Sequence, residues 1–194
     1  QMCIRDRQLP ARLPGESSTQ TRGGPGAPAA PPDRGRDGLP VRPWRTVITA
    51  SEIPVGLSEQ AALGPLWVDW LSRLPGAVSA LLDEWGLRRD GDELWHGFES
   101  LVVPVLDRQG ARAVLKVAFD GDDEGAQEAL GLQHWHGHGA VSMLRADPRR
   151  RAILLERLTR RDLTTVDDDE ACRVVAGLYG RLHVPAPGRL ALLT

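Results

Sequence analysis

The sequence contains no asparagine, a single lysine and only two cysteines. Cys3 and Cys172 lie far apart and without the spacing of metal ligands, so we predict neither a disulfide framework nor a metal site, and we expect a reducing, cytoplasmic location. The first residues are charged and proline-rich rather than apolar, which argues against a secretory signal. The formal net charge of −2 provides no broad basic surface for nucleic acid.

The single lysine is Lys116, which lies in the apolar stretch at 114–117. Every other permanently charged basic side chain is an arginine, so a lysine retained at this position favours a functional role. A solvated lysine at the edge of a strand is the alternative interpretation.

Two regions precede the part of the chain that is rich in strand patterns. Residues 1–44 hold runs of glycine and proline with few apolar side chains, so we predict that they are disordered or an artefactual tail without function. Residues 45–92 are predicted to form an N-terminal helical segment, because their apolar residues recur at three- and four-residue steps. A Pro-Gly pair at 75–76 interrupts this pattern, so two short helices are expected, at about 64–74 and 76–85.

Short apolar stretches separated by turns predict an antiparallel sheet of about five strands over residues 93–158, and therefore an α+β fold. The predicted strands lie at 93–97, 100–106, 111–119, 140–144 and 151–158. A helix is expected from residue 122 to about 138, within the sheet region. A second, amphipathic helix is expected over Asp168–Leu182, with Thr165 and Asp168 as a capping pair.

This order of elements is the layout of the small lobe of protein-kinase-like folds, and five segments add to the likeness. They are WLSRLPGAVSALLDEWG (70–86), HGFESLVVPV (96–105), AVLKVA (113–118), EALGLQHWHGHGA (128–140) and ILLERL (153–158). Together they resemble the aminoglycoside/hydroxyurea phosphotransferase family of the streptomycin 6-kinase type, over roughly residues 53–190. The resemblance implies a kinase-like nucleotide-binding small lobe at 93–158 and the first helices of a truncated large lobe at 159–194.

The resemblance also implies an activity. Members of this family transfer the γ-phosphate of ATP to an alcohol group of an antibiotic, with Mg²⁺ present in the complete enzyme. The expected partner is therefore a small molecule, an aminoglycoside such as streptomycin or hydroxyurea, in antibiotic resistance or secondary metabolism. No nucleic-acid or membrane partner is expected.

Two charged residues are the first candidates for an ATP site. Phosphoryl transfer consists mainly of positioning and charge neutralisation, so a kinase needs a cation near the α- and β-phosphates and an anion to hold that cation. Lys116 fits the first role and Glu128 the second. Glu124 is the alternative partner, and Glu128 is preferred because it begins the family-like EALGL segment.

Five further residues are predicted to bind the nucleotide. Gly97 allows close backbone approach and Ser100 offers a hydrogen bond, so their turn could cover the phosphates, although a plain turn between strands is the alternative. Glu156, Arg157 and Leu158 resemble the segment that links the two lobes, whose backbone would contact adenine. A buried strand end is the alternative there.

Two other patterns are rejected. His134, His136 and His138 alternate at the end of a helix, which scatters the three rings rather than directing them at one metal ion. The triplet at 161–163 echoes the catalytic loop of protein kinases, yet Asp167 stands where the metal-binding asparagine would fall. We therefore predict no catalytic residue and no metal ligand within this sequence.

Three hypotheses about function remain. We prefer a fragment of an ATP-dependent antibiotic phosphotransferase that is inactive by itself. The alternatives are a non-catalytic nucleotide-binding or regulatory module and a helical interaction domain whose kinase likeness is accidental. The third requires that Lys116 does not lie on a central strand facing a helix carboxylate.

Overall fold

The computed structural model describes residues 46–121, 125–159, 162–186 and 188. The predicted tail at 1–44 and the alternative carboxylate Glu124 lie outside these ranges. The described helices are α1 (Val55–Ser58), α2 (Pro65–Trp85), α3 (Gly125–Trp135) and α4 (Asp168–Leu182), with short 3₁₀ helices at Ala50–Glu52, Glu59–Leu63, Pro148–Arg150 and Leu163–Thr165. The strands are β1 (Arg88–Arg89), β2 (Trp95–His96), β3 (Ser100–Leu106), β4 (Arg112–Ala118), β5 (Met143–Asp147) and β6 (Ala152–Glu156).

All the described strands form one antiparallel sheet with the order β1-β3-β4-β6-β5, and β2 pairs with the same strand as β1. The predicted α+β class is confirmed, and the sheet has six strands rather than about five. The unpredicted strand is β1, whose two arginines carry no apolar alternation. None of the helices that the structure describes is long and apolar enough to cross a membrane.

The central strand β4 separates two layers. Its alternate residues Ala113, Leu115 and Val117 are buried in a core that α2 closes from one side of the sheet. Val114 packs instead in a smaller cluster with residues of α3, and Lys116 shares its side of the strand. Since successive side chains of a strand point to opposite faces, this two-residue period directs the lysine toward α3.

The two short helices predicted around Pro75 and Gly76 are wrong, because the structure has one continuous helix, α2. The buried face of α2 continues through the interruption, with Leu74 and Val78 on either side of it. The hydroxyl of Ser79 donates to the carbonyl of Pro75 at 2.8 Å. Burial of a continuous apolar face therefore outweighs the backbone hydrogen bond that proline cannot donate.

Helix α4 has the predicted bounds, but its predicted cap is wrong. The N-cap is Asp167, whose carboxylate accepts from the backbone N–H of Glu170 at 3.0 Å. Thr165 lies at the end of a 3₁₀ helix, and its hydroxyl donates to the carbonyl of Asp162 at 3.1 Å. An aspartate directly before the helix is as good a cap as threonine and stands closer to the first free N–H groups.

A buried ion pair ties the N-terminal residues to β1. The side chain of Arg89 is only 1% exposed, and its Nη1 lies 2.7 Å from Oε1 of Glu52. Its Nη2 donates to the carbonyl of Asp92 at 2.9 Å. The hydrogen bond from Arg89, more than any other cause, lowers the pKa of Glu52 from 4.5 to about 2. The chain before α1 is thus anchored to the sheet by a charge pair that excludes water on the arginine side.

Candidate functional site

Lys116 lies in the middle of the sheet, with Val102 of β3 and Ile153 of β6 as its neighbours across the strands. Its Nζ lies 2.6 Å and 2.7 Å from the two carboxylate oxygens of Glu128. The predicted ion pair is therefore confirmed, and the interpretation of Lys116 as a solvated lysine at a strand edge is wrong.

The ion pair of Lys116 and Glu128 is stabilised by the helix dipole and is open to solvent. Glu128 lies in the first turn of α3, where the positive end of the helix dipole favours a carboxylate. The side chains of Lys116 and Glu128 remain 25% and 34% exposed, so neither charge is sealed in the core. A cation that is oriented by a carboxylate yet open to solvent can meet an anionic ligand.

The pair lies in the wall of a cleft of about 1160 Å³. This volume is slightly larger than the roughly 300–1000 Å³ typical of small-molecule sites. All seven residues that the sequence predicts for nucleotide binding line this cleft: Gly97, Ser100, Lys116, Glu128, Glu156, Arg157 and Leu158. The structure thus brings them to one place, and their roles in binding stay predictions.

The turn at 97–100 closes one end of the cleft. The backbone N–H of Gly97 donates to the carbonyl of Ser100 at 2.9 Å. A Cβ atom at Gly97 would lie 3.0 Å from the hydroxyl oxygen of Ser100, so glycine allows this hydroxyl to sit close to the backbone. Ser100 itself is buried. The turn is compact, and its glycine has a structural reason as well as the predicted functional one.

The opposite wall is formed by the end of β6 and the two residues after it. The backbone N–H of Ser142 donates to a carboxylate oxygen of Glu156 at 2.8 Å, and the N–H of Glu156 donates to the Ser142 carbonyl at 2.9 Å. Arg157 donates to the carboxylate of Asp90, and its guanidinium lies 5.4 Å from the ring centroid of Trp95. Both side chains therefore brace this segment against neighbouring elements.

Several residues of the cleft were not predicted. Gln60 comes from the N-terminal helical segment, and Phe98 from the turn. Trp135 lies at the end of α3, and its indole N–H donates to the carbonyl of Leu182 in α4 at 3.1 Å. Contacts between segments so distant in sequence carry no local pattern.

Comparison with known proteins shows that the chain is similar to one family of kinases. Residues 84–194 match the model of a family described as aminoglycoside/hydroxyurea antibiotic resistance kinases. A streptomycin 6-kinase of Streptomyces glaucescens is 44% identical over 69% of the chain, and one of Streptomyces griseus is 44% identical over 70%. A hydroxyurea phosphotransferase of Kitasatospora aureofaciens is 38% identical over 75%.

The matched regions cover 44%, 45% and 45% of these three relatives, so the chain spans less than half of their length. No solved structure matches the chain significantly. The likeness to this family therefore rests on sequence similarity, and the description of the cleft rests on this structure alone.

Proposed function

The chain belongs to the family of aminoglycoside/hydroxyurea antibiotic resistance kinases, and from this membership we propose that its cleft binds ATP. The protein would serve transfer of the γ-phosphate to an alcohol group of an aminoglycoside such as streptomycin. The observation that carries the proposal is the pair of Lys116 and Glu128 in the wall of the cleft, at 2.6 Å.

The residues of the cleft fit a nucleotide in two halves. At the polar end, the ammonium of Lys116 would neutralise the α- and β-phosphates while Glu128 holds it in position. Toward the other end, Val114 and Leu155, which pair across β4 and β6, form an apolar wall that suits the faces of a purine ring. The backbone at 156–158 would meet the edge of the base.

The steps at the reacting oxygen are not assigned to this chain. The sequence has no asparagine for the metal-binding position of the family. Within the described residues, no three His, Cys, Asp or Glu side chains come together to hold a metal ion. We therefore propose that the 194-residue chain binds ATP without phosphorylating streptomycin, because ground-state binding does not supply transition-state stabilisation.

A non-catalytic nucleotide-binding module is the second candidate, and it differs from the first only in the residues that would act at the reacting oxygen. The third hypothesis, an accidental likeness of a helical interaction domain, is wrong. Lys116 lies on a central strand and faces a helix carboxylate, and the chain matches the family model over more than half of its length.

Calorimetric titration of the chain with MgATP tests the binding proposal. We expect Lys116→Met to weaken binding at least about tenfold, because the phosphates lose their cation. Arg112→Met is the matched control, since Arg112 is an exposed basic residue of the same strand that does not line the cleft, with its Nε 3.7 Å from the carboxylate of Asp90. Absence of MgATP binding by the unaltered chain, or equal binding by Lys116→Met, would overturn the proposal.

Transfer of labelled phosphate from ATP to streptomycin tests whether this chain is catalytic by itself. We expect the chain to give no more transfer than its Lys116→Met variant. Turnover well above that variant would show that this chain holds catalytic residues which we have not assigned.

A further inference from the structure

The turn at the phosphate end of the cleft is in contact with the N-terminal helical segment. The imidazole of His96 lies so close to Gly56 of α1 that a Cβ atom there would be 2.7 Å from Cε1 and 2.9 Å from Nε2 of the ring. The same ring keeps its Nδ1 3.0 Å from the carbonyl oxygen of Gly97. One side chain therefore connects α1 to the first residue of the turn.

A second contact involves aromatic rings. The ring of Phe98 lies 6.4 Å from that of Trp67 in α2, in an edge-to-face arrangement of 76°. Trp67 is stacked on Phe119, with centroids 3.9 Å apart and planes 4° from parallel. The backbone N–H of Phe119 donates to the carbonyl of Glu99 at 2.8 Å. The stack formed by Trp67 and Phe119 thus contacts both a side chain and the backbone of the turn.

Local structure alone does not account for these contacts. The strand that enters the turn, β2, has two residues and pairs with β3 alone among the described strands. Such a short strand adds little stability of its own. Phe98 is 66% exposed, so burial in the core does not explain its position. Contacts with α1 and α2 therefore add to the hydrogen bond within the turn and to its hydrogen bond with Phe119.

We propose that the N-terminal helical segment positions the turn at 97–100 over the phosphates, with His96 as the positioning residue that contacts Gly56. This inference rests on the proposed function. Phosphate recognition by backbone N–H groups depends on their position, and a displacement of about 1 Å can lower the affinity for a phosphate substantially. Adenosine has no phosphates, so its affinity is insensitive to this displacement.

A double-mutant cycle tests the inference in the full 194-residue chain, with MgATP and adenosine as probes in calorimetric titrations. Gly56→Ala adds a methyl group where the imidazole lies, and His96→Ala removes the imidazole. We expect each variant to weaken MgATP three- to tenfold and to leave adenosine within twofold. In the double variant the methyl group meets no ring, so its MgATP affinity should equal that of His96→Ala.

Gly76→Ala is the matched control, because Gly76 is a helical glycine with open space around its Cα. It should bind both probes like the unaltered chain. Thermal unfolding checks that each variant is folded. Because the side chain of His96 is exposed, His96→Ala is expected to fold like the unaltered chain.

Three results would overturn the inference. They are unchanged MgATP affinity in Gly56→Ala, additive losses in the double variant, and equal losses for adenosine. If the unaltered chain fails to bind MgATP, the proposed function falls and the inference with it. If the unaltered chain binds MgATP and Gly56→Ala binds it with equal affinity, only the inference falls.

Discussion

The two faces of the sheet are built from the same strands and differ in burial and in charge. On the α2 side, Leu101, Val103 and Leu115 are fully buried. On the α3 side, Val102 and Val114 are half-buried and border a cleft that contains Lys116. Strand alternation thus separates two tasks within seven residues of β4. One face stabilises the fold and leaves the other free to hold water, charge and a ligand.

The two ion pairs show the same difference. Arg89 is 1% exposed and holds Glu52, whereas Lys116 and Glu128 are both partly open to solvent. Removing one partner of a buried pair leaves an uncompensated charge, while a partly exposed partner can be hydrated. The pair near the closed face should therefore matter for stability, and the pair in the cleft for binding.

Substitutions at adjacent residues of β4 give the largest expected contrast. Leu115→Ala creates a cavity in the closed core and should lower the free energy of unfolding by about 3 kcal/mol. Val114→Ala removes a half-buried side chain beside the cleft and should cost about 1 kcal/mol. Urea unfolding of both variants measures the difference. Equal losses would show that the two faces are packed alike.

The Arg89–Glu52 pair should make stability depend on pH. The pKa of Glu52 is lowered to about 2 from 4.5, so its contribution is complete above pH 4.5 and is lost as pH falls toward 2. Glu52→Gln should therefore cost about 3 kcal/mol at pH 7, and progressively less below pH 4.5. Urea unfolding of the variant and the unaltered chain at several pH values between 3 and 7 measures this. A cost that stays constant over that range would contradict the shifted pKa.

The ion pair of Lys116 and Glu128 should contribute little to stability, in contrast to that of Arg89 and Glu52. Lys116→Met is expected to change the free energy of unfolding by less than about 1 kcal/mol, because Glu128 keeps access to water. The same variant is expected to lose MgATP affinity, as proposed above. Urea unfolding at pH 7 provides the measurement. A loss of stability as large as that of Glu52→Gln would mean that Lys116 is mainly structural.

The smallest expected effect concerns the helix that closes the apolar face. Gly76 lies within α2 with open space around it, so Gly76→Ala should stabilise the chain by about 0.5–1 kcal/mol through helix propensity. Thermal unfolding detects this as a small rise in Tm. A fall in Tm would indicate that the helix breaks near Pro75, as the sequence alone had predicted.

Much of the fold follows from local pattern. Apolar stretches of seven to nine residues predicted β3, β4 and β6 closely, and the amphipathic period predicted the bounds of α4. The errors fall where tertiary contacts outweigh local preference. Burial of a continuous face keeps α2 unbroken through Pro75, and pairing with β3 makes a strand of Arg88 and Arg89.

For the candidate site, the sequence by itself determined which residues are predicted to take part in binding. A lone lysine inside an apolar strand and a carboxylate at the start of a helix are visible in composition and spacing, and the resemblance added the turn and the segment at 156–158. Only the tertiary structure decided that these residues share one cleft, and that Gln60, Trp135 and the contact between Gly56 and His96 belong to it. The physical reason is that strand alternation and helix capping act over a few residues. The cleft, in contrast, is formed by segments tens of residues apart, whose meeting depends on how the whole core packs.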